Sequence, residues 1–364
     1  MTDLKKVVIL SDKPFYNVAR RTHRNLDTYS RIRNRHIHDG IHDFEERDLR
    51  IGYFANGEVS VNVERTIRER DVFVLKSFID QETGKPETNK NLIESFLVAD
   101  ACYHAGAERV WFVAPFLPYL RQDRRTKIKI TGAESRQPVA ASLITHLLHQ
   151  SGYTGLITLD PHFAQFRGTL PRGLKLENPT ARVALTNYAR HNLGLTPEKT
   201  AIISPDYGGG ERAEEASHDI QAIFGGLSRK RRVKVGEVGD MTLLLEEGVD
   251  LAQVDAAVIV DDLIDSGGTL VTCSEAIRKK GVERVLALGT HPVFSREAEA
   301  KLLSAGIETV VANTIPRTYK PEGVHYVDIS TILAVTIHCI TTGHGSISGD
   351  LFMPERYRTL EQKI

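Results

Sequence analysis

Residues 256–270 read AAVIVDDLIDSGGTL, and the rest of the chain falls into place around them. Residues 256–260 form a short apolar run, which predicts a buried strand ending on two acids, Asp261 and Asp262. A turn of small and hydroxyl residues follows: Asp265, Ser266, Gly267, Gly268 and Thr269. Residues 270–280 then carry helical spacing, with Leu270, Cys273 and Ile277 on one stripe and Arg278, Lys279 and Lys280 at the end. Glycines let backbone N–H groups converge at a helix N-terminus, where a phosphate fits. Ser266 and Thr269 add hydroxyl donors, and the two carboxylates can accept hydrogen bonds from sugar hydroxyls.

Similar strand ends recur. LITLDPH (residues 156–162), IISPDYGGG (202–210) and the opening stretch each set acids or a histidine just past an apolar run. Strand and helix signals alternate, which predicts an α/β protein of two similar domains. Each is an open, mostly parallel sheet flanked by helices. Ligands of such sheets bind outside the carboxyl ends of the strands. The expected division is residues 1–175, residues 176–353 and a loosely held polar tail, 354–364. The crossover is placed in the proline- and glycine-rich stretch 168–179. Residues 16–47, rich in Arg, His, Asn and Asp, read as a charged, partly helical surface insertion. His36, His38 and His42 crowd together there, but no cysteines or fixed helical spacing accompany them, so no metal centre is read from them. Residues 124–137 read as a mobile polar loop.

The 364 residues suffice for two sizeable cores. Lys+Arg and Asp+Glu are both 47, so no global charge points to nucleic acid or to a membrane. No run approaches the ~20 apolar residues of a membrane span, and the start MTDLKKVVIL is too short in apolar residues for a signal peptide. Cys102, Cys273 and Cys339 are far apart in sequence, which suits a reducing, cytoplasmic setting.

The 256–270 pattern resembles the ribose-phosphate loop of type I phosphoribosyltransferases. Five further motifs in order, within a similarity that runs from about residue 54 to about residue 352, resemble ribose-phosphate pyrophosphokinases. FANGE is similar to the family's adenine-contacting segment, supplied by a neighbouring subunit, which implies Phe54, Asn56 and Glu58. PYLRQDRR is similar to its ATP-binding segment, which implies Arg121, Gln122 and Asp123. Arginine suits that role because its planar fork grips phosphate. LDPHFAQFRG implies His162 as a ligand of the Mg²⁺ carried with ATP, with Asp160 and Gln165 nearby. SPDYGGG implies Asp206 beside the metal and ribose. SRKRRVK (228–234) matches a flexible catalytic loop and implies Lys230 and Arg232, cations for the charge that builds on a transferring diphosphoryl group. By the same resemblance, Asp261 and Asp262 hold ribose hydroxyls and residues 265–269 hold the 5-phosphate. HGSISGDLF offers Ser346 and Ser348 as regulatory-phosphate candidates.

The implied activity moves the β,γ-diphosphoryl group of ATP onto O1 of ribose 5-phosphate, by an enzyme that assembles as homodimers or hexamers. Tyr207 and Gly210, and the long stretches before residue 54 and at 124–137, depart from the family pattern. They leave open a larger 5-substituted ribose such as ADP-ribose as acceptor. A catalytically silent regulatory subunit is a further alternative.

Overall fold

The structure, a computed structural model, describes residues 7–33, 44–80, 83, 85–125, 136–230, 241–317, 319 and 321–364. The histidines of 36–42, most of the 124–137 loop and Arg232 lie outside the described residues.

The first half contributes β1 (Val7–Ser11), α1 (Tyr16–Ile32), β2 (Leu49–Tyr53), β3 (Val59–Val63), β4 (Asp71–Leu75), α2 (Thr88–His104), β5 (Arg109–Val113), α3 (Ala140–Gln150), β6 (Gly155–Ile157) and β7 (Lys175–Glu177). Five of these strands form one parallel sheet, ordered β1-β4-β5-β6-β7, while β2 and β3 make a separate antiparallel hairpin. VVILS and DVFVL are buried at every position, as strands covered on both faces must be. β7 crosses position 175, so the first sheet keeps the chain until Glu177.

The second half contributes α4 (Arg182–Asn192), β8 (Thr200–Ser204), α5 (Gly210–Ile220), β9 (Ile223–Lys230), β10 (Met241–Leu245), β11 (Ala256–Ile264), α6 (Gly268–Arg278), β12 (Arg284–Pro292), α7 (Ala298–Ser304), β13 (Ile307–Ala312), β14 (Val324–Val327), α8 (Ser330–Thr342), α9 (Ile347–Leu351) and α10 (Pro354–Lys363). Its sheet runs β10-β9-β8-β11-β12-β13-β14, parallel except for β10 at the edge. From β8 the chain moves outward to β9 and β10, then returns to β11 and moves the other way. The reversal between β8 and β11 is a topological switch point, where such sheets bind ligands.

Four expectations need correction. Residues 16–32 are no surface insertion: α1 buries Val18, Ala19, Thr22, Leu26, Tyr29 and Ser30 and packs on α8 of the other half. These positions recur at helical spacing, but the intervening arginines and histidines hide the stripe. Tyr29 Oη donates to Asp350 at 2.7 Å, and Asn25 Nδ2 to Ser330 Oγ at 3.0 Å, so the first helix is pinned to the second half. One apolar core runs from Val7 and Trp111 through Leu26 to Leu333. The tail is docked as well: α10 buries Tyr357 and Leu360, and Asn187 Nδ2 donates to the Pro354 carbonyl at 3.1 Å.

The basic run 228–234 does not start as a loop. Ser228, Arg229 and Lys230 end β9 and pair with Leu243, Thr242 and Met241 of β10. Finally, β11 continues past the two acids to Ile264. It can do so because β12 is long enough to pair with Leu263 and Ile264, whereas β8 stops pairing at Ile259. Asp261 and Asp262 therefore stand on a strand whose neighbour on one side has already turned away.

Candidate active site

The loop after β11 is shaped by its backbone. Gly267 sits at φ +72°, in the left-handed region that favours glycine, and Gly268 opens α6. The loop after β8 is tighter: a Cβ on Gly209 would stand 2.8 Å from Ser204 Oγ. Asp206 folds that loop on itself, its Oδ1 accepting from the Gly209 N–H at 2.9 Å. The two loops face one another across the switch point and line one cavity of about 340 Å³.

The first half of the chain reaches into this cavity at two points. His162 Nδ1 lies 2.8 Å from Asp262 Oδ2, and Arg121 Nη1 donates to Asp265 Oδ2 at 2.8 Å. Arg212, on the first turn of α5, donates to Asp262 Oδ1 at 3.2 Å and stands 3.9 Å from Asp261. Asp262 is buried; burial works against its charge, but the His162 hydrogen bond and the Arg212 guanidinium outweigh it and hold its carboxyl well below the usual carboxylate range. Asp261 is pushed the other way, by burial and then by the adjacent Asp262 charge. Asp265 is lowered by the Ser295 hydroxyl, 2.5 Å from its Oδ1, and by Arg121. The His162 ring is raised above the ordinary histidine range, chiefly by its hydrogen bond to Asp262.

Two more cavities open from the same spot. One, of about 340 Å³, shares Arg121, His162 and Asp262 and adds Gln122 with apolar walls from Phe78, Ile79, Phe116 and Leu117. The other, about 820 Å³, shares Arg121, His162, Gly208 and Arg212 and adds Asp123, Asp160 and Gln165. Arg121 and His162 thus stand where three spaces meet.

The structure therefore brings together Arg121, His162, Asp206, Asp261, Asp262, Asp265, Ser266, Gly267, Gly268 and Thr269 in one cavity, with Gln122 and Asp123 in its neighbours. Asp160 is committed elsewhere: its Oδ2 accepts from Thr290 Oγ1 at 2.6 Å and from the Ala181 N–H at 3.0 Å, tying the two halves together. Tyr207 is 65% exposed and lines none of these cavities, so it does not narrow the site.

Phe54, Asn56 and Glu58 form the β2–β3 turn and line none of the three cavities either; Phe54 is 59% exposed. Ser346 caps the short helix α9 by accepting from the Gly349 N–H at 2.9 Å, and Ser348 borders a separate pocket beside Glu177 and Cys339. Arg212, Ser295 and Thr290 were missed from sequence. Only Arg212 left a signal there, as the first cation after the SPDYGGG glycines.

Among the described residues no three His, Cys, Asp or Glu side chains converge to hold a metal by themselves. His162 and Asp206 do line one cavity. Asp206 offers a carboxylate oxygen of the kind that a hard cation such as Mg²⁺ takes together with waters and substrate phosphate oxygens, whereas the imidazole nitrogen of His162 is not a donor such a cation favours.

Residues 17–152 match the N-terminal domain of ribose phosphate pyrophosphokinase, and residues 249–352 the phosphoribosyl synthetase-associated domain. Ribose-phosphate pyrophosphokinase A of Dictyostelium discoideum is 34% identical over 83% of this chain and 89% of its own. Ribose-phosphate pyrophosphokinase 2 of Schizosaccharomyces pombe is 32% identical over 80% of this chain and 85% of its own. The crystal structure of phosphoribosylpyrophosphate synthetase from Mycobacterium smegmatis superposes with a TM-score of 0.74, covering 93% of this chain and all of that one, at 24% identity, which bears on the fold. With two relatives above 30% identity aligned along most of their lengths, and with both halves matched in order, this chain belongs to the ribose-phosphate pyrophosphokinase family.

Proposed function

We infer that this chain is an ATP-dependent diphosphotransferase that converts ATP and ribose 5-phosphate to PRPP and AMP. The observation that carries the reading is the pair of contacts across the two halves, His162 to Asp262 and Arg121 to Asp265, each 2.8 Å. They set a phosphate-gripping arginine and a histidine from one sheet against a sugar-phosphate loop from the other. Two anionic substrates bound on either side of these contacts would meet.

In this reading the backbone N–H groups and hydroxyls of residues 265–269 hold the 5-phosphate, and Asp261 and Asp262 accept hydrogen bonds from the ribose hydroxyls. Arg121 grips the nucleotide phosphates, with Gln122 and Asp123 beside it. His162 and Asp206 would hold Mg²⁺ carried with ATP; the ion, when bound, neutralises charge on the phosphoryl oxygens. The ribose O1 hydroxyl attacks the β-phosphorus in line with the α-phosphate oxygen. The O1–P bond forms, the bond to AMP breaks, and the hydroxyl proton passes to water. No covalent enzyme intermediate is required; positioning and charge stabilisation do the work. Lys230 and Arg232 supply cations to the transferring group. Phe54, Asn56 and Glu58 contact the adenine of a neighbouring copy, in a homodimer or hexamer. Ser346 and Ser348 are kept as regulatory-phosphate candidates. The three free cysteines fit a cytoplasmic setting.

The test is AMP release from ATP with ribose 5-phosphate. Replacing Lys230 or Arg232 with alanine should cut turnover by orders of magnitude while nucleotide still binds. Unchanged turnover would remove both from the catalytic assignment. ADP-ribose in the same assay should release far less AMP, since the exposed Tyr207 does not remodel the acceptor cavity.

A further inference from the structure

The carboxyl end of β12 carries two buried side chains that reach across to the first sheet. Thr290 Oγ1 donates to Asp160 Oδ2 at 2.6 Å, and the same oxygen accepts from the Ala181 N–H at 3.0 Å. Beside it, His291 Nε2 donates to the Leu159 carbonyl at 3.0 Å, since a carbonyl oxygen can only accept. His291 Nδ1 lies 3.0 Å from Thr314 Oγ1, and the Thr314 hydroxyl reaches back to the Thr290 carbonyl at 2.8 Å. Phe116 of the first half packs on the imidazole, with ring centroids 5.2 Å apart. Thr290, His291 and Thr314 are all buried, so these hydrogen bonds are costly to leave unmade.

What the two residues hold is the short stretch that ends on His162. β6 stops at Ile157, and Asp160, with φ +36°, takes a left-handed turn before His162. Aspartate visits that region more readily than most residues, yet the turn needs partners to persist. The His162 side chain is 47% exposed, so the backbone behind it, rather than packing around the ring, sets where it stands. At the other end of the 2.8 Å contact, Asp262 sits on β11, whose next residue, Leu263, pairs with His291 of β12. One strand thus fixes both partners: Asp262 through sheet register, and His162 through the bonds to Leu159 and Asp160. The packing of α1 on α8 also joins the halves, but this tie lies at the site itself.

We propose that Thr290 and His291 are positioning residues: by seating Leu159 and Asp160 they clamp the His162 segment of the first sheet in register with the acceptor site of the second. The proposal deepens the reading of the reaction given above and rests on it. It gives neither residue a contact with the reacting atoms or a share in binding either substrate. Their loss is felt in the transfer step, where a displacement of about 1 Å costs on the order of a hundredfold.

Thr290→Val deletes the hydroxyl and nearly keeps the shape, whereas Thr290→Ser keeps the hydroxyl. Thr290→Val should lower kcat for AMP release roughly ten- to hundredfold and leave KM for ATP and for ribose 5-phosphate each within about threefold, since His162 and the sugar-phosphate loop are both retained. Thr290→Ser should recover most of the lost rate. If Thr290→Val folds poorly, which its thermal midpoint reports, His291→Gln and His291→Met carry the test. The glutamine amide can still donate to Leu159, so His291→Gln should turn over roughly fivefold faster than His291→Met, the scale of one hydrogen bond. An unchanged kcat in Thr290→Val, equal losses in Thr290→Val and Thr290→Ser, or equal losses in the two His291 variants overturns the proposal. If the unaltered protein forms no AMP, the reading of the reaction fails on its own, and the clamp is judged by proton NMR of the His162 ring at one fixed pH. Thr290→Val should then shift the ring resonances in the direction that Asp262→Asn does; unmoved resonances refute the clamp.

Discussion

His162 Nδ1 and Asp262 Oδ2 lie 2.8 Å apart, and with that contact an imidazole from the first sheet and a buried carboxylate from the second become one charged unit. The hydrogen bond to Asp262 raises the His162 pKa. The imidazolium should therefore outlast the ordinary histidine value of about 6.5 as pH rises. Because the folded value is raised, the stability gained from this contact is present below the unfolded histidine pKa and is lost as pH climbs through the folded one. Proton NMR should show the His162 ring titrating above the ordinary value, and Asp262→Asn should bring it down. A ring that titrates normally in the unaltered protein would remove the linkage.

Metal loading must compete with that proton if His162 is a ligand. The affinity for Mg-ATP should then rise with pH across the His162 titration and flatten above it. In His162→Ala the pH dependence over this window should vanish along with most of the affinity. Calorimetric titration at several pH values reads both effects.

The Arg121–Asp265 pair is largely exposed, with side chains 63% and 34% accessible. Such pairs contribute only about 0–1 kcal/mol to stability. Arg121→Ala should leave the thermal midpoint nearly unchanged yet lower AMP release by two orders of magnitude or more, on the order of what one lost transition-state contact costs. A variant that loses stability and activity in proportion would mark the residue as structural.

Gly209 has no room for a side chain beside Ser204, and Gly267 holds φ +72°. Gly267→Ala should cost about 1 kcal/mol of stability from the left-handed backbone alone. It should also weaken ribose 5-phosphate binding more than ATP binding, because the distorted loop is the one assigned to the 5-phosphate. Separate KM values for the two substrates decide this.

Leu26 is fully buried in the core shared by both halves. Leu26→Ala should destabilise the protein by roughly 2–5 kcal/mol, as core truncations do. The arginine-rich sequence around it suggests a dispensable surface helix; a change below about 0.5 kcal/mol in chemical denaturation would favour that view over the packed one.

What could be read from sequence was local. The strand, acid pair, glycine turn and helix of residues 256–270 are encoded within fifteen consecutive residues, and that segment is found in the expected order. Of the positions that converge, His162 and Asp206 were legible as strand-end chemistry, and Arg121 only through the resemblance of PYLRQDRR. What sequence could not show was set by partners distant in the chain. The extension of β11 to Ile264 depends on the length of β12, and the burial of α1 depends on α8. Ser228–Lys230 read as loop because the run 228–234 is similar to the family's flexible catalytic loop, yet β10 pairs with them. Asp160 stands near His162 as expected, but its hydrogen bond from Thr290, 130 residues away, could not be read from sequence.

The central claim, that a nucleotide and a sugar phosphate meet where Arg121 and His162 cross between the sheets, is tested most directly by following ATP labelled at the β-phosphorus in the presence of Mg²⁺ and ribose 5-phosphate. The label should pass into the diphosphoryl group of a sugar product, with one AMP released per product formed. Label recovered in ADP, or unreacted ATP after prolonged incubation with well-folded protein, would contradict it.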